Sequence, residues 1–87
     1  MTYTIGWNNQ PVKFLKKLPV SIANRIIHKI ESITDDPFHY LEHYEGADVY
    51  KLRIGDYRAL IEVDFASKIL KVRVIGNRGN IYNRKLE

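Results

Sequence analysis

No cysteine occurs anywhere in the 87 residues, which removes disulfide frameworks, thiolate zinc sites and cysteine nucleophiles together. A secreted domain of this size ordinarily needs disulfide staples, so the absence points to the cytoplasm. Long apolar runs are missing as well. The opening residues lack the apolar core of a signal peptide, and nothing approaches the length of a membrane span, so membrane and export readings fall. Glycine and proline are scarce, 5 and 3 residues, which argues against long disordered stretches. Acidic residues run short in one half only. Residues 1–48 hold 5 Lys/Arg against 6 Asp/Glu, whereas residues 49–87 hold 9 against 4. All the excess positive charge behind the net +4 therefore sits in the later half. Such asymmetry suits a polyanionic partner, either nucleic acid or an acidic protein segment. What is present, a 45% hydrophobic share, can build one modest core, and residues 1–87 read as a single domain.

The chain divides into a helical half and a strand half. Tyr3 to Trp7 is β-prone and reads as a short first strand. Asn8 or Asn9 offers an N-cap and Pro11 suits a first helical turn, so a helix starts there. Pro19 ends it after Leu18, because its ring disfavours helix at the preceding residue. A second helix is expected from about Pro19 to Ile33. Its Ile22, Ala23, Ile26, Ile27, Ile30 and Ile33 recur at three- and four-residue spacing and form one buried stripe. The connection is short enough to require an antiparallel helical hairpin. Residues 38–48, FHYLEHYEGAD, form a polar and aromatic connection with no assignable period. After it the period becomes two: VYKLRI (49–54), YRALIEVD (57–64) and ILKVRVIG (69–76) read as strands. Residues 77–87 then leave the sheet. The expected fold is α+β, ordered β-α-α-β-β-β, an antiparallel sheet packed on a helical hairpin.

Gly55-Asp56 is a two-residue loop of the glycine-first kind, and such a loop fixes register. Ile54 then faces Tyr57, Arg53 faces Arg58 and Lys51 faces Leu60. One face carries Tyr50, Leu52, Ile54, Tyr57, Ala59, Ile61 and Val63, the side expected to meet the helices. The other carries Lys51, Arg53, Arg58 and Leu60. If Val63 pairs with Leu70, then Leu70, Val72 and Val74 join the core while Lys71, Arg73 and Ile75 join the basic face. Glu62 opposite Lys71 makes a sensible cross-strand ion pair; Arg53 opposite Arg58 is unfavourable. Arg78, just past the last strand, reaches the same surface. A basic sheet face can be no more than a solvated one. Uncompensated cations clustered near Tyr82 fit phosphate recognition better, because arginine presents a planar fork of donors matched to phosphate oxygens.

The segment YKLRIGDYRALIEVD (50–64), followed by VRVIGNRGNIY (72–82), resembles the RelE/ParE superfamily of toxins from toxin–antitoxin pairs. Members show a strand like Y-R-L-R, a turn G-D-Y-R and a closing G-H-R-x-x-x-Y, and Asp36-Pro37 after the second helix matches too. The cluster of basic residues resembles the RelE branch. That resemblance implies the RelE-like microbial ribonuclease fold and a toxin that cleaves messenger RNA in the ribosomal A site. The implied partners are the ribosome, messenger RNA and a small RelB-like antitoxin encoded beside the toxin. Carried over residue by residue, the family's catalytic cations fall on Lys51, Arg53, Arg58 and Arg78, and its C-terminal tyrosine on Tyr82. Lys71 and Arg73 are then candidates for RNA binding. Many relatives have His before the closing arginine; here Asn77 stands there, and asparagine cannot act as a general base.

Metal-free RNA cleavage needs the 2′-hydroxyl deprotonated, the pentacoordinate phosphate stabilised and the 5′-oxygen protonated. A lysine among arginines holds its proton less readily, which makes Lys51 a candidate base. Arg58 and Arg78 are expected to stabilise the transferring phosphate, Arg53 to bind the scissile or an adjacent one, and Tyr82 to stack on a base or orient the nucleophile. No cofactor is expected. His28 lies near the helical stripe and reads as structural. His39 and His43 formally match H-x-x-E-H, but that zinc pattern needs a sustained helix and a distant third ligand, and here it follows Pro37 directly. Two other classes stay open: a ParE-like toxin that poisons DNA gyrase without nuclease chemistry, and an RNA-binding module that does not cleave.

Overall fold

Two prolines shape the helical half. The computed structural model describes residues 2–79. Strand β1 (Thr4–Trp7) leads into helices α1 (Asn9–Lys16) and α2 (Val20–Ser32). Asn8 takes the N-cap position of α1 with an extended backbone, but its side chain makes no capping bond. Pro11 lies in the first turn, where a missing N–H costs nothing. Pro19 stands immediately before α2 at ψ 143°, so the chain stops and restarts its helix within three residues. All six positions of the expected stripe pack into the core, and Ile26, Ile30 and Ile33 have no exposed surface. No described helix is long and apolar enough to cross a membrane.

The sheet has five strands in the order β1-β5-β4-β3-β2. Its members after the helices are β2 (Glu42–Glu45), β3 (Val49–Ile54), β4 (Tyr57–Asp64) and β5 (Ile69–Asn77). Two features go beyond the sequence-based expectation. Strand β2 forms inside the segment that has no readable period, after a 3-10 turn at Pro37–His39. Its four residues, EHYE, contain no β-branched side chain, and their pairing with β3 is interrupted by an irregularity between His43 and Glu45; tertiary pairing, not propensity, makes this a strand. Strand β1 runs parallel to β5, so the sheet is mostly rather than wholly antiparallel.

The β3–β4 hairpin has the expected register, with Ile54 opposite Tyr57, Arg53 opposite Arg58 and Lys51 opposite Leu60. Gly55 carries the positive φ (+59°) that a glycine-first turn requires. All seven residues assigned to the helix-facing side pack in the main core. In the β4–β5 pair, Val63 opposite Leu70 and Glu62 opposite Lys71 also hold. Beyond them the register shifts: Ile61 faces Val72 but Leu60 faces Val74. Arg73 is the extra residue of a β-bulge, and every later side chain changes sides. The placement of Val74 in the core and Ile75 on the basic face is therefore corrected. Ile75 is buried in the main core, while Val74 joins Leu60 and Tyr44 in a small apolar cluster on the opposite face.

A side chain continues the sheet where β1 stops. The Asn8 N–H donates to the Val72 carbonyl at 3.1 Å, and the chain then turns into α1. Two residues on, the Gln10 amide donates to the Ile75 carbonyl and accepts from the Ile75 N–H, each at 2.9 Å. Gln10 thus pairs with β5 as a strand residue would and ties α1 to the bulged end of that strand.

Candidate active site

The site grows from the β3–β4 turn. Lys51 and Arg53 alternate with core residues on β3, so both point away from the helices. Arg58 lies between Arg53 on β3 and Gly76 on β5. Its guanidinium folds back over the turn, donating from Nη1 to the Gly55 carbonyl at 2.8 Å and the Tyr57 carbonyl at 2.7 Å. Arg58 is 5% exposed, the one charged residue among the buried described residues. Two of its five donors are held by these carbonyls, which fixes the plane of the guanidinium and leaves the others for a ligand. The Arg78 N–H donates to the Asp56 carbonyl at 2.9 Å, locking the end of β5 to the same turn.

These anchors bring four cations together. Lys51, Arg53, Arg58 and Arg78 line one cleft of about 310 Å³, and Glu42 of β2 completes its lining. Glu42 pairs with Lys51 in the β2–β3 ladder. It is the residue that sequence reasoning missed. The signal was weak: Glu42 and Tyr44 alternate with His43, whose ring packs edge-on against core-facing Tyr50, but four residues are too few to establish a period.

Lys71 and Arg73 do not line this cleft. The Arg73 guanidinium forms an ion pair with Glu62, so the partner of Glu62 is the residue of the bulge rather than its register partner Lys71. Tyr82 lies outside the described residues. The HYLEH segment is not helical: His39 ends the 3-10 turn and contacts the Tyr40 ring, and His43 on β2 bonds the Gly46 carbonyl. The helical geometry that the zinc pattern needs is therefore not formed.

An arrangement of this kind suits a phosphodiester. Four cations and one carboxylate attract a polyanion and repel a divalent metal ion. The planar forks of Arg53, Arg58 and Arg78 converge from three elements, so they can surround a phosphate rather than touch one edge of it.

Known proteins bear on this geometry directly. The family model for the ParE toxin of the type II toxin–antitoxin system parDE matches residues 5–82. No curated protein sequence matches significantly. Among solved structures, the RelE–RelB complex of Pyrococcus horikoshii is 29% identical, covering 91% of this chain and 98% of that chain with a TM-score of 0.79. The RelB–RelE antitoxin–toxin complex of Methanococcus jannaschii is 26% identical over 92% of this chain and 98% of that chain, with a TM-score of 0.66. The toxin–antitoxin complex RelBE2 of Mycobacterium tuberculosis shares the fold at 20% identity, over 90% and 100% of the two chains with a TM-score of 0.79. The chain belongs to the ParE toxin family of type II toxin–antitoxin systems, within the RelE/ParE superfamily.

Proposed function

We propose that this toxin is a metal-free endoribonuclease that cuts messenger RNA in the ribosomal A site and so arrests translation. The observation that carries the proposal is the convergence of Lys51, Arg53, Arg58 and Arg78 on one cleft. Cleavage by internal transfer proceeds by attack of the 2′-oxygen on phosphorus, forming a 2′,3′-cyclic phosphate as the bond to the 5′-oxygen breaks. Negative charge accumulates on the non-bridging oxygens, where preorganised donors contribute most. Arg58, held rigid by the turn carbonyls, and Arg78, held by Asp56, are assigned to those oxygens. Arg53, exposed at the rim, takes the scissile phosphate or its neighbour. Lys51 and Glu42 are the described side chains of the cleft that can move protons: one, as a carboxylate or a neutral amine, takes the 2′-hydroxyl proton, and the other, in its protonated form, gives one to the departing 5′-oxygen; Asn77 can do neither. Tyr82 is assigned to base stacking or nucleophile orientation, and Lys71 and Arg73 to peripheral RNA contacts. The assigned cellular compartment is the cytoplasm, where the ribosome and a RelB-like antitoxin meet the toxin.

The family match favours a second reading, a ParE-like toxin that inhibits DNA gyrase. Two assays separate them. Expression of the chain without its antitoxin should stop amino-acid incorporation within minutes, while purified protein leaves gyrase supercoiling unchanged. Blocked supercoiling with continuing protein synthesis would reverse the assignment.

A further inference from the structure

We infer that the cationic cleft continues past Arg53 into a second cleft, which binds the phosphate and base of a nucleotide flanking the cleaved one. The inference rests on the ribonuclease reading and extends it to a subsite on the helical side of the molecule. A cleft of about 490 Å³ is lined by Arg25, Lys29, Arg53, Ile54, Gly55 and Asp56. Arg53 belongs to both clefts. The reason lies in the sheet: β2 begins at Glu42, opposite Lys51, so among the described residues β3 runs on from Leu52 to Ile54 without a ladder partner on that side. The exposed Arg53 side chain therefore stands where the sheet face meets the helices.

Helix α2 supplies the new cations. Arg25 and Lys29 are four residues apart and share one helix face. With Arg53 they set three positive charges against the single carboxylate of Asp56. Lys29 also places its Nζ 4.4 Å from the centre of the Tyr40 ring. Tyr40 is exposed, and the His39 ring meets it edge-on at 4.8 Å. Tyr40 stands beside the cleft rather than in its lining, with the Lys29 ammonium over its ring. A base that takes the place of the ammonium there, as Lys29 turns to the phosphate, makes the two contacts of a single-stranded nucleotide, base stacking and phosphate pairing. An acidic protein segment would use the cations but gain nothing specific from the ring, so the pairing of the two favours RNA. The basic character of this cleft is not visible in the charge count, because Arg25 and Lys29 belong to the half of the chain with net negative charge.

The test is equilibrium binding of the full chain to 2′-O-methyl RNA, which cannot be cleaved, using a trinucleotide and an octanucleotide across a range of salt. Arg25→Gln with Lys29→Gln should weaken octanucleotide binding several-fold and leave the trinucleotide unchanged. The slope of log affinity against log salt should fall by about 0.7 for each phosphate that the variant no longer neutralises. Tyr40→Ala, made separately in case the double variant folds poorly, should weaken the octanucleotide without changing that slope. Wild-type octanucleotide affinity in both variants, with Arg78→Ala still weakening binding, would overturn the second cleft while leaving the first intact. If Arg78→Ala also binds like wild type, the ribonuclease reading fails with it. Loss of antitoxin binding alone in the double variant would reassign the cleft to an acidic protein segment and overturn the inference.

Discussion

Arg53 and Arg58 face each other across the β3–β4 pair, where like charges cost a few tenths to about 1 kcal/mol. The two residues resolve the conflict differently. Arg58 turns back and spends two donors on the Gly55 and Tyr57 carbonyls, which makes it part of the turn as well as of the cleft. Arg53 stays exposed, and among the described residues of the cationic cleft only Glu42 opposes the repulsion it meets from Lys51, Arg58 and Arg78. A site residue that opposes stability is the expected signature of a surface shaped for a ligand. Arg53→Thr should therefore raise the urea unfolding midpoint, by an amount equivalent to about 0.2–1 kcal/mol, while weakening RNA binding. A lower midpoint would show that Arg53 supports the fold, and the trade between stability and binding would not hold at this position. Arg58→Ala is a poorer probe, because removing a buried, hydrogen-bonded guanidinium perturbs the turn and the cleft at once.

At the scale of elements, β5 decides where the site forms. Its bulge at Arg73 returns Ile75 to the core and lets the strand end beside the β3–β4 turn, where Arg78 is fixed by the Asp56 carbonyl. Gln10 holds that bulged end by exchanging two hydrogen bonds with the fully buried Ile75. Gln10→Ala leaves one buried N–H and one buried carbonyl without these partners, a loss of roughly 1–3 kcal/mol. Urea unfolding should register it, and hydrogen exchange should speed up most at Ile75. Unchanged exchange there would mean that the Gln10 pairing does not hold the strand. The same elements explain what could be read in the sequence. Gly55-Asp56 admits one tight turn, and that turn carries the hairpin register, the core face and the positions of Lys51, Arg53 and Arg58. The bulge is hidden because Lys71 to Val74 alternate basic and apolar residues straight through Arg73, and the Val74-Ile75 doublet that breaks the period comes only after the extra residue. Strand β2 is hidden because EHYE has neither period nor propensity, and Glu42 is hidden with it. Gln10 reads as an ordinary helix-start residue, since only the fold brings it beside a residue 65 positions away.

For the whole molecule, the division of charge along the sequence becomes a division in space. Four cations of the later half, Lys51, Arg53, Arg58 and Arg78, gather where β3, β4 and the end of β5 meet, opposite the face covered by α1 and α2. A type II toxin has a cognate antitoxin, and an acidic, flexible one would match this face while ordering as it binds. Exchanging both exposed cleft arginines, Arg53→Ala with Arg78→Ala, should weaken antitoxin binding and flatten its dependence on salt. Unchanged affinity would mean that the antitoxin neutralises the toxin without leaning on the cleft. The central claim, that the cleft cuts messenger RNA on the ribosome, is tested most directly by primer extension on a translated message. Wild-type protein should produce cuts within codons of the translated region. Arg78→Ala, whose side chain is exposed and whose anchoring bond uses only the backbone, should cut about 10²–10³-fold more slowly, the loss expected for one donor to the developing charge. Growth arrest by the folded wild-type protein with no cut in any translated message, or cutting by Arg78→Ala at the wild-type rate, would contradict the account.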